Sequence, residues 1–234
     1  MKIQIKRDST IQEYEIDTDD VTLLKFLEAI KTKQDGSLTF SSGCRSGVCG
    51  SCAMRVNGKE VLACEHKVKD NNLIEPLKNL PLIRDLVVAM DTAYSMNTKA
   101  KAWQSSLSQN VTLTPENEKI NELQSDCILC VACYSACPVY AVNPEFLGPF
   151  SLTRVWRYVS DVRENNQADK IAHIQTHGVW DCTLCNECTL ACPQGISSKA
   201  DIEKLRMKSA QYGFMDPSFG SFGGGFGFDG SPSF

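Results

Sequence analysis

The chain of 234 residues lacks long hydrophobic runs and any large excess of one charge. No apolar stretch reaches the roughly 18–20 residues that cross a bilayer, so we expect no membrane-spanning segment. Residues 1–9 carry basic side chains with no apolar segment behind them, so we expect no secretory signal. The formal net charge of −4 argues against nucleic acid as a partner, because non-specific nucleic-acid binding depends on clustered Lys and Arg.

Motifs for nucleotide binding and for hydrolysis are missing as well. The sequence has no GxGxxG and no Walker loop, so a dinucleotide would have to be bound by another chain. No Ser/His/Asp set and no pair of carboxylates stands out. We therefore expect no hydrolytic chemistry from this chain.

Cysteine, by contrast, is abundant: the chain has 12, in three groups of four with none left over. Disulfides are typical of small secreted domains, and cysteines two or three residues apart are too close to join distant segments. Zinc sites usually use two CxxC pairs on separate knuckles, unlike four cysteines on one short stretch. The spacing favours iron–sulfur clusters over both of these alternatives.

The second and third groups both read C-x2-C-x2-C-x3-C-P, the spacing of bacterial two-cluster ferredoxins. In such proteins the fourth cysteine of each run binds the other cluster. The spacing therefore predicts one [4Fe–4S] cluster on Cys127, Cys130, Cys133 and Cys192. It predicts a second [4Fe–4S] cluster on Cys137, Cys182, Cys185 and Cys188, or [3Fe–4S] if Cys185 is not a ligand.

The first group has the spacing C-x4-C-x2-C followed by a distant fourth cysteine, which is typical of plant-type [2Fe–2S] proteins. The predicted ligands are Cys44, Cys49, Cys52 and Cys64. Glycines at positions 43, 47 and 50 allow the backbone to wrap closely and to direct N–H groups at the sulfurs.

The pattern around these groups changes along the chain. Alternating apolar residues predict strands near 1–7 and 11–16, helical spacing predicts a helix over 21–33, and Asn57-Gly58 predicts a hairpin. Residues 76–91 fit a final strand followed by a connector. We expect an α+β domain of the β-grasp, plant-type ferredoxin class over residues 1–92.

The second half shows helical patterns in place of strand patterns. We expect helices over 116–124, 149–162 and 198–212, with the two cysteine runs as an internal repeat about 55 residues apart. The predicted organisation is a linker over 93–114 and an all-α two-cluster ferredoxin domain over 115–212. The last segment, 213–234, is rich in Gly and Phe and is predicted to be a flexible or partner-docking tail.

The order of these motifs resembles the iron–sulfur subunits of succinate dehydrogenases and fumarate reductases. The similarity covers residues 1–212 and is carried by CRSGVCGSCAMRVNG, PLKNLPLIRDLVV, and CILCVACYSACP followed by NPEFLGP. The resemblance implies an electron-transfer subunit between an FAD-containing flavoprotein, which interconverts succinate and fumarate, and a quinone-reactive anchor. It implies that the [2Fe–2S] cluster is nearest the flavin and that the other two clusters lead toward the anchor.

Three residues differ from the pattern common in that family. Most members have [3Fe–4S] nearest the quinone, with a non-ligand where this chain has Cys185. Val142 and Thr183 replace a quinone-contacting Trp and a His. The chain is therefore similar to the variant class with a four-iron third cluster and a heterodisulfide-reductase-like anchor, some of which are methylmenaquinol:fumarate reductases.

The resemblance also implies partners and a location. The expected partners are the flavoprotein, a membrane anchor or heterodisulfide-reductase-like cysteine-rich subunit, and quinone at the partner interface. We expect a peripheral position on the cytoplasmic face of the membrane, or a periplasmic one if the chain is exported with a signal-bearing partner. Alternatives are a subunit of a thiol-linked fumarate reductase or other flavin dehydrogenase, a stand-alone ferredoxin-like carrier, and a zinc-stabilised interaction module.

Overall fold

A computed structural model describes residues 1–108 and 110–220 of the chain. Its first half is built on a five-stranded mixed sheet in the order β2-β1-β5-β3-β4, in which β1 and β5 are parallel and the other neighbours antiparallel. The strands are β1 (Lys2–Arg7), β2 (Thr10–Glu15), β3 (Ala53–Val56), β4 (Lys59–Leu62) and β5 (Asn72–Glu75). Helix α1 (Leu23–Lys33) follows β2. This is the predicted β-grasp arrangement.

The local sequence explains these elements. Ile3 and Ile5 alternate with more exposed residues along β1 and are fully buried. Thr22 caps α1, because its side chain accepts a hydrogen bond from the Lys25 amide. Asn57 and Gly58 both have positive φ, as a two-residue hairpin between β3 and β4 requires.

The prediction of a final strand over 76–91 is wrong in its placement. The strand that completes the sheet is β5, which lies before this range. Residues 76–91 instead contain β6 (Leu82–Arg84) and β7 (Val87–Val88), which form a separate two-stranded sheet. Three residues of β6 are exposed, so its apolar side chains do not pack into the main core.

The second half of the chain is helical. The helices are α2 (Asp91–Lys99), α3 (Pro115–Lys119), α4 (Glu122–Ser125), α5 (Ala132–Ser135), α6 (Pro138–Val142), α7 (Pro149–Val159), α8 (Gln167–His173), α9 (Glu187–Leu190), α10 (Ser198–Gln211) and α11 (Pro217–Gly220). The expected helices at 149–162 and 198–212 are confirmed as α7 and α10, whereas the one over 116–124 is split. Asn121 leaves the helical φ/ψ region there, and its side-chain amide donates to the Arg157 carbonyl of α7 at 3.2 Å.

A buried ion pair ties the segment after α2 to the helical half. Lys170 Nζ lies 3.5 Å from Glu164 Oε2, and both side chains are fully buried. The same ammonium donates to the carbonyls of Lys101 and Trp103, while Glu164 accepts from the Ser105 amide at 3.0 Å. Both charges therefore have polar partners, which a buried pair requires.

The end of the described chain packs only in part. Phe214 is half-buried and lies against the core. The rest of the predicted tail, from 221 onward, falls outside the described residues. Among the helices that the structure describes, none has the length and apolar character of a membrane span.

Candidate iron–sulfur centres

The first three cysteines of the first group lie in the loop between α1 and β3, where backbone amides point at sulfur, and Cys64 follows β4. Cys44 Sγ accepts from the amides of Ser46 at 3.4 Å, Val48 at 3.3 Å and Cys49 at 3.2 Å. These hydrogen bonds lower the pKa of Cys44 to about 6, and the bond from the Ser46 amide contributes most. The Gly47 amide likewise donates to Cys64 Sγ at 3.3 Å. Such a cage of N–H groups stabilises thiolate and other negative charge.

Close backbone packing brings the remaining cysteines of this group together. A Cβ on Gly43 would lie 2.8 Å from Cys49 Sγ, so only glycine fits beside that sulfur. Burial raises the pKa of Cys52 to about 11, and the neighbouring Cys64 also acts on it. All four predicted ligands of the [2Fe–2S] group therefore share one site.

The second group surrounds a cavity. Its apolar lining includes all four predicted ligands, Cys127, Cys130, Cys133 and Cys192. Burial raises the pKa of Cys127, Cys130 (to about 12) and Cys133, and the charge of Cys192 raises each of them further. The fourth cysteine of the later run therefore lies beside the first three of the earlier run, as the spacing predicts.

The third group shows the reciprocal exchange. Burial raises the pKa of Cys137, Cys182 and Cys188, the last to about 12, and the charge of Cys185 contributes to each rise. Cys185 is exposed, whereas Cys137 and Cys188 are buried. The four thiols predicted for the second four-iron cluster thus lie close together, with Cys185 on the solvent side.

The two cysteine runs repeat one backbone conformation. Leu129 and Val131 in the earlier run have φ of 56°, and the equivalent Leu184 and Asn186 have φ of 57° and 73°. Left-handed residues alternating with right-handed ones turn successive N–H groups toward one concave side, a common anion-binding geometry. A positive φ is unusual for a β-branched residue such as Val131, and strain of this kind concentrates at functional sites.

Arginines from neighbouring helices add positive charge to the second and third sites. Arg154 and Arg157 on α7 act against the rise in the pKa of Cys127 that burial causes. Arg206 on α10 does the same for the pKa of Cys182 and donates to the Cys182 carbonyl at 2.6 Å. These cations favour bound anions, which fits sites for negatively charged thiolate-ligated clusters.

The three sites are in contact with one another. A Cβ on Gly50 would lie 2.8 Å from both Cys130 Cβ and the Ile128 carbonyl oxygen, so the first loop touches the second site directly. Gln194, two residues after Cys192, donates to the Gly47 carbonyl at 3.2 Å. Helix α5, which carries Cys133 of the second site, packs against α9, which carries Cys188 of the third. The sites therefore form a series, first to second to third.

Asn79 is a supporting residue that sequence reasoning missed. Its side-chain amide donates to the carbonyls of Tyr134 (3.1 Å), Ser135 (3.0 Å) and Cys137 (3.2 Å). The residue has φ of 61°, which Asn tolerates better than most residues. Its position between Pro76 and Pro81 gave no hint of this tertiary role.

The donor chemistry fits iron–sulfur clusters. All 12 cysteines lie in the described residues and none is in a disulfide. Within those residues, no three or more His, Cys, Asp or Glu side chains converge closely enough to hold a single metal ion. The four cysteines of the second group instead line a cavity. A multi-iron cluster places its ligands farther apart than one ion at a metal–sulfur distance of about 2.3 Å does.

Exposed apolar side chains lie at both ends of this series. Val48, in the first loop, is 66% exposed. Val142 is 84% exposed and lies on α6, which Cys137 caps. Leu190 is 75% exposed and lies on α9, which contains Cys188. Exposed apolar residues beside these cysteine sites are suited to contact with partner proteins.

Fold and sites together define an iron–sulfur protein with a plant-type domain followed by a helical two-cluster domain. The family model described as "2Fe-2S iron-sulfur cluster binding domain" matches residues 2–95, and the one described as "4Fe-4S dicluster domain" matches residues 123–196. The expected fold class is confirmed.

Comparison with known proteins then narrows the class. The fumarate reductase iron–sulfur subunit of Mycobacterium tuberculosis is 35% identical over 234 residues, covering 95% of this chain and 94% of that one. The 8-methylmenaquinol:fumarate reductase iron–sulfur subunit of Wolinella succinogenes is 35% identical over 212 residues, covering 84% of this chain and 66% of its own length.

Solved structures agree on the fold. A chain of the Mycobacterium smegmatis Sdh1 complex in the apo form superposes with a TM-score of 0.80 at 22% identity, covering 90% of this chain and 95% of that one. The chain belongs to the family of iron–sulfur subunits of succinate dehydrogenases and fumarate reductases, as its motifs predict. It is an electron-transfer subunit of an oxidoreductase complex.

Proposed function

We propose that this chain relays electrons between an FAD-containing flavoprotein and a quinone-reactive anchor subunit through one [2Fe–2S] and two [4Fe–4S] clusters. The observation that carries the proposal is the packing of the three thiol sites in series: Gly50 of the first loop lies against Cys130, and helix α5 of the second site packs against α9 of the third. The bound clusters would supply one-electron transfer. The protein spaces them, excludes water and offsets their charge.

We assign the ligands as the spacing predicts. Cys44, Cys49, Cys52 and Cys64 hold the [2Fe–2S] cluster, and Cys127, Cys130, Cys133 and Cys192 hold the first [4Fe–4S] cluster. Cys137, Cys182, Cys185 and Cys188 hold the second. The exchange of fourth cysteines is supported by the effect of Cys192 on the pKa of the earlier run and of Cys185 on the pKa of Cys137.

The third site supports the variant class with a heterodisulfide-reductase-like anchor. Cys185 lies with the other three thiols, and Val142 is strongly exposed where the common family pattern has a Trp. Neither Val142 nor Thr183 can donate a hydrogen bond to a quinone through a ring N–H. Similarity to a subunit named for 8-methylmenaquinol:fumarate reduction is consistent with this class. We place the complex on the cytoplasmic face of the membrane, with periplasmic co-export as the alternative.

The decisive experiment is EPR with iron analysis on the anaerobically purified native complex. We expect about ten irons per chain and no intrinsic [3Fe–4S] signal after oxidation. Cys185→Ser should remove about one iron and produce an oxidised [3Fe–4S] signal, whereas Thr183→Ala, two residues away, should change neither. A strong [3Fe–4S] signal in the unmodified complex that iron and sulfide do not convert would contradict Cys185 ligation.

Purification also separates the rival functions. The proposal expects a flavin-containing chain with succinate or fumarate activity to copurify with this one. A chain that purifies alone and transfers electrons by diffusion would support the stand-alone carrier. Copurification with a flavoprotein that acts on neither succinate nor fumarate would support another flavin dehydrogenase, and reduction of fumarate by thiols would support the thiol-linked enzyme.

A further inference from the structure

The Asp201 side chain is buried in the helical domain, and no buried cation forms an ion pair with its carboxyl group among the described residues. It lies on α10 and is 1% exposed. Its Oδ1 accepts a hydrogen bond from Gln124 Nε2 at 2.8 Å, but its Oδ2 has no hydrogen-bond partner among the described residues. A buried carboxylate with an unpartnered oxygen is costly, and such a group tends to bind a proton.

The same carboxyl lies beside the cavity of the second site. Ser198, one turn earlier on α10 and therefore on the same helix face, lines that cavity together with the four cysteines. Thr153 on α7 lines it too, is 1% exposed, and has a hydroxyl with no hydrogen-bond partner in the described part of the chain. Thr153 therefore stands between the cavity and Asp201, and a protonated Oδ2 could donate to its hydroxyl oxygen.

Burial raises the pKa of Asp201 to about 6, and Lys204 and Gln124 offset part of that rise. The Thr153 hydroxyl also acts on Asp201, although the two groups do not meet hydrogen-bond geometry. Lys204 Nζ lies 3.5 Å from Asp201 Oδ1, and the Lys204 side chain is 40% exposed. The buried carboxyl is therefore linked to solvent through the Lys204 ammonium. The carboxyl can therefore change its charge near neutral pH, which an ordinary surface aspartate does not do.

Few other charges face Asp201. On α10, Lys199 pairs with Glu203, Arg206 binds backbone carbonyls, and Lys208 lies over Tyr212. The remaining charged groups of the helices packed near it are exposed or act elsewhere: Glu122 on α4, Arg154 and Arg157 on α7, Asp169, Lys170 and His173 on α8, and Glu187 on α9.

We propose that Asp201 takes up a proton when the four-iron cluster of the second site is reduced and releases it when that cluster is re-oxidised. One electron passes from an adjacent cluster to this four-iron cluster. One proton passes from water to the Asp201 carboxylate, where it forms an O–H bond. On re-oxidation the electron leaves, the bond breaks and the proton returns to water. The added negative charge of the reduced state favours the neutral carboxylic acid. The inference rests on the proposed ligation by Cys127, Cys130, Cys133 and Cys192.

The test is an EPR redox titration of this cluster in the native complex, across about three pH units centred near neutrality. We expect its midpoint potential to fall as pH rises and to level off at the extremes. In Asp201→Asn the potential should be independent of pH and higher than that of the unmodified protein at alkaline pH, because the amide keeps the shape and cannot ionise. Asp201→Glu should restore a pH dependence.

A matched control removes a carboxylate from the same helix. Glu203→Gln lies two residues away, on an exposed side chain paired with Lys199, and should leave the pH dependence of this cluster intact. A pH-independent potential in the unmodified complex would overturn the proposal even if the Asn variant did not assemble. Unchanged pH dependence in Asp201→Asn would overturn it as well. Absence of any four-iron signal would instead refute the ligation.

Discussion

At the scale of single residues, the cysteine sites depend on side chains far from them in sequence. Asn79 lies at least 50 positions before the carbonyls that it binds. One of those carbonyls belongs to Cys137, whose sulfur also accepts from the Tyr140 amide at 3.4 Å and caps α6. The side-chain amide of Asn79 therefore holds the backbone at and just before Cys137, a proposed cluster ligand.

Replacement of Asn79 should destabilise the protein through loss of these hydrogen bonds. We expect Asn79→Gly to lower the free energy of unfolding by about 1–3 kcal/mol, because buried carbonyls lose their donor. Glycine accepts the positive φ, so the loss does not come from backbone strain. Asn79→Asp should cost more, since it places a carboxylate against three carbonyl oxygens. Urea unfolding of the purified complex measures both, and wild-type stability in Asn79→Gly would contradict the argument.

At the scale of elements, the loop of the first site and the loop of the second are held in contact by a glycine. Gly50 has φ of 71°, and an added Cβ would overlap the backbone and side chain around Cys130. The distance between the first two proposed clusters therefore depends on the absence of one methyl group.

Gly50→Ala should move these two loops apart. We expect weaker magnetic interaction between the reduced [2Fe–2S] and [4Fe–4S] clusters, visible as altered splitting and relaxation in EPR. Gly195→Ala is the matched control: its φ is 69°, but nothing lies within 4 Å of the added Cβ. Both variants should lose about 1–2 kcal/mol of stability from backbone strain. Equal effects of the two variants on the EPR interaction would show that the contact does not set the spacing.

At the scale of the whole molecule, the series of sites has exposed apolar side chains at each end. Val48 lies at the end with the plant-type loop, and Val142 lies at the end with the third site. A relay between two partners needs a contact surface at each end, and a charge buried unpaired in such a contact weakens binding.

Two matched substitutions should separate these contacts. Val48→Glu should weaken association with the flavoprotein more than tenfold and leave the anchor bound, whereas Val142→Glu should do the reverse. Each adds one carboxylate at a strongly exposed position, so neither should disturb folding. Subunit composition after affinity purification of the tagged chain measures the outcome. Loss of the same partner in both variants would mean that the two ends are not separate contact surfaces.

Much of the site could be predicted from sequence, because cluster ligands are cysteines whose spacing reflects loop geometry. The runs from Cys127 and from Cys182 indicated the exchange of fourth ligands, and the pKa effects of Cys192 and Cys185 agree with that pattern. Helix α1 was predicted from the helical spacing of its apolar residues, and helices were also predicted where α7 and α10 lie. The helix expected over 116–124 was not, because a tertiary hydrogen bond from Asn121 competes with helix continuation.

The class of the protein, the order of its sites and the residues available to bind iron can all be predicted from the amino-acid sequence, because they depend on residue type and spacing along a short loop. Which backbones touch and which charges are buried is known only from the folded chain. Contact of Gly50 with Cys130, the reach of Asn79 across the domains and the burial of Asp201 all join residues more than 40 positions apart. Such contacts arise when separate elements pack around one core, and no local pattern encodes them.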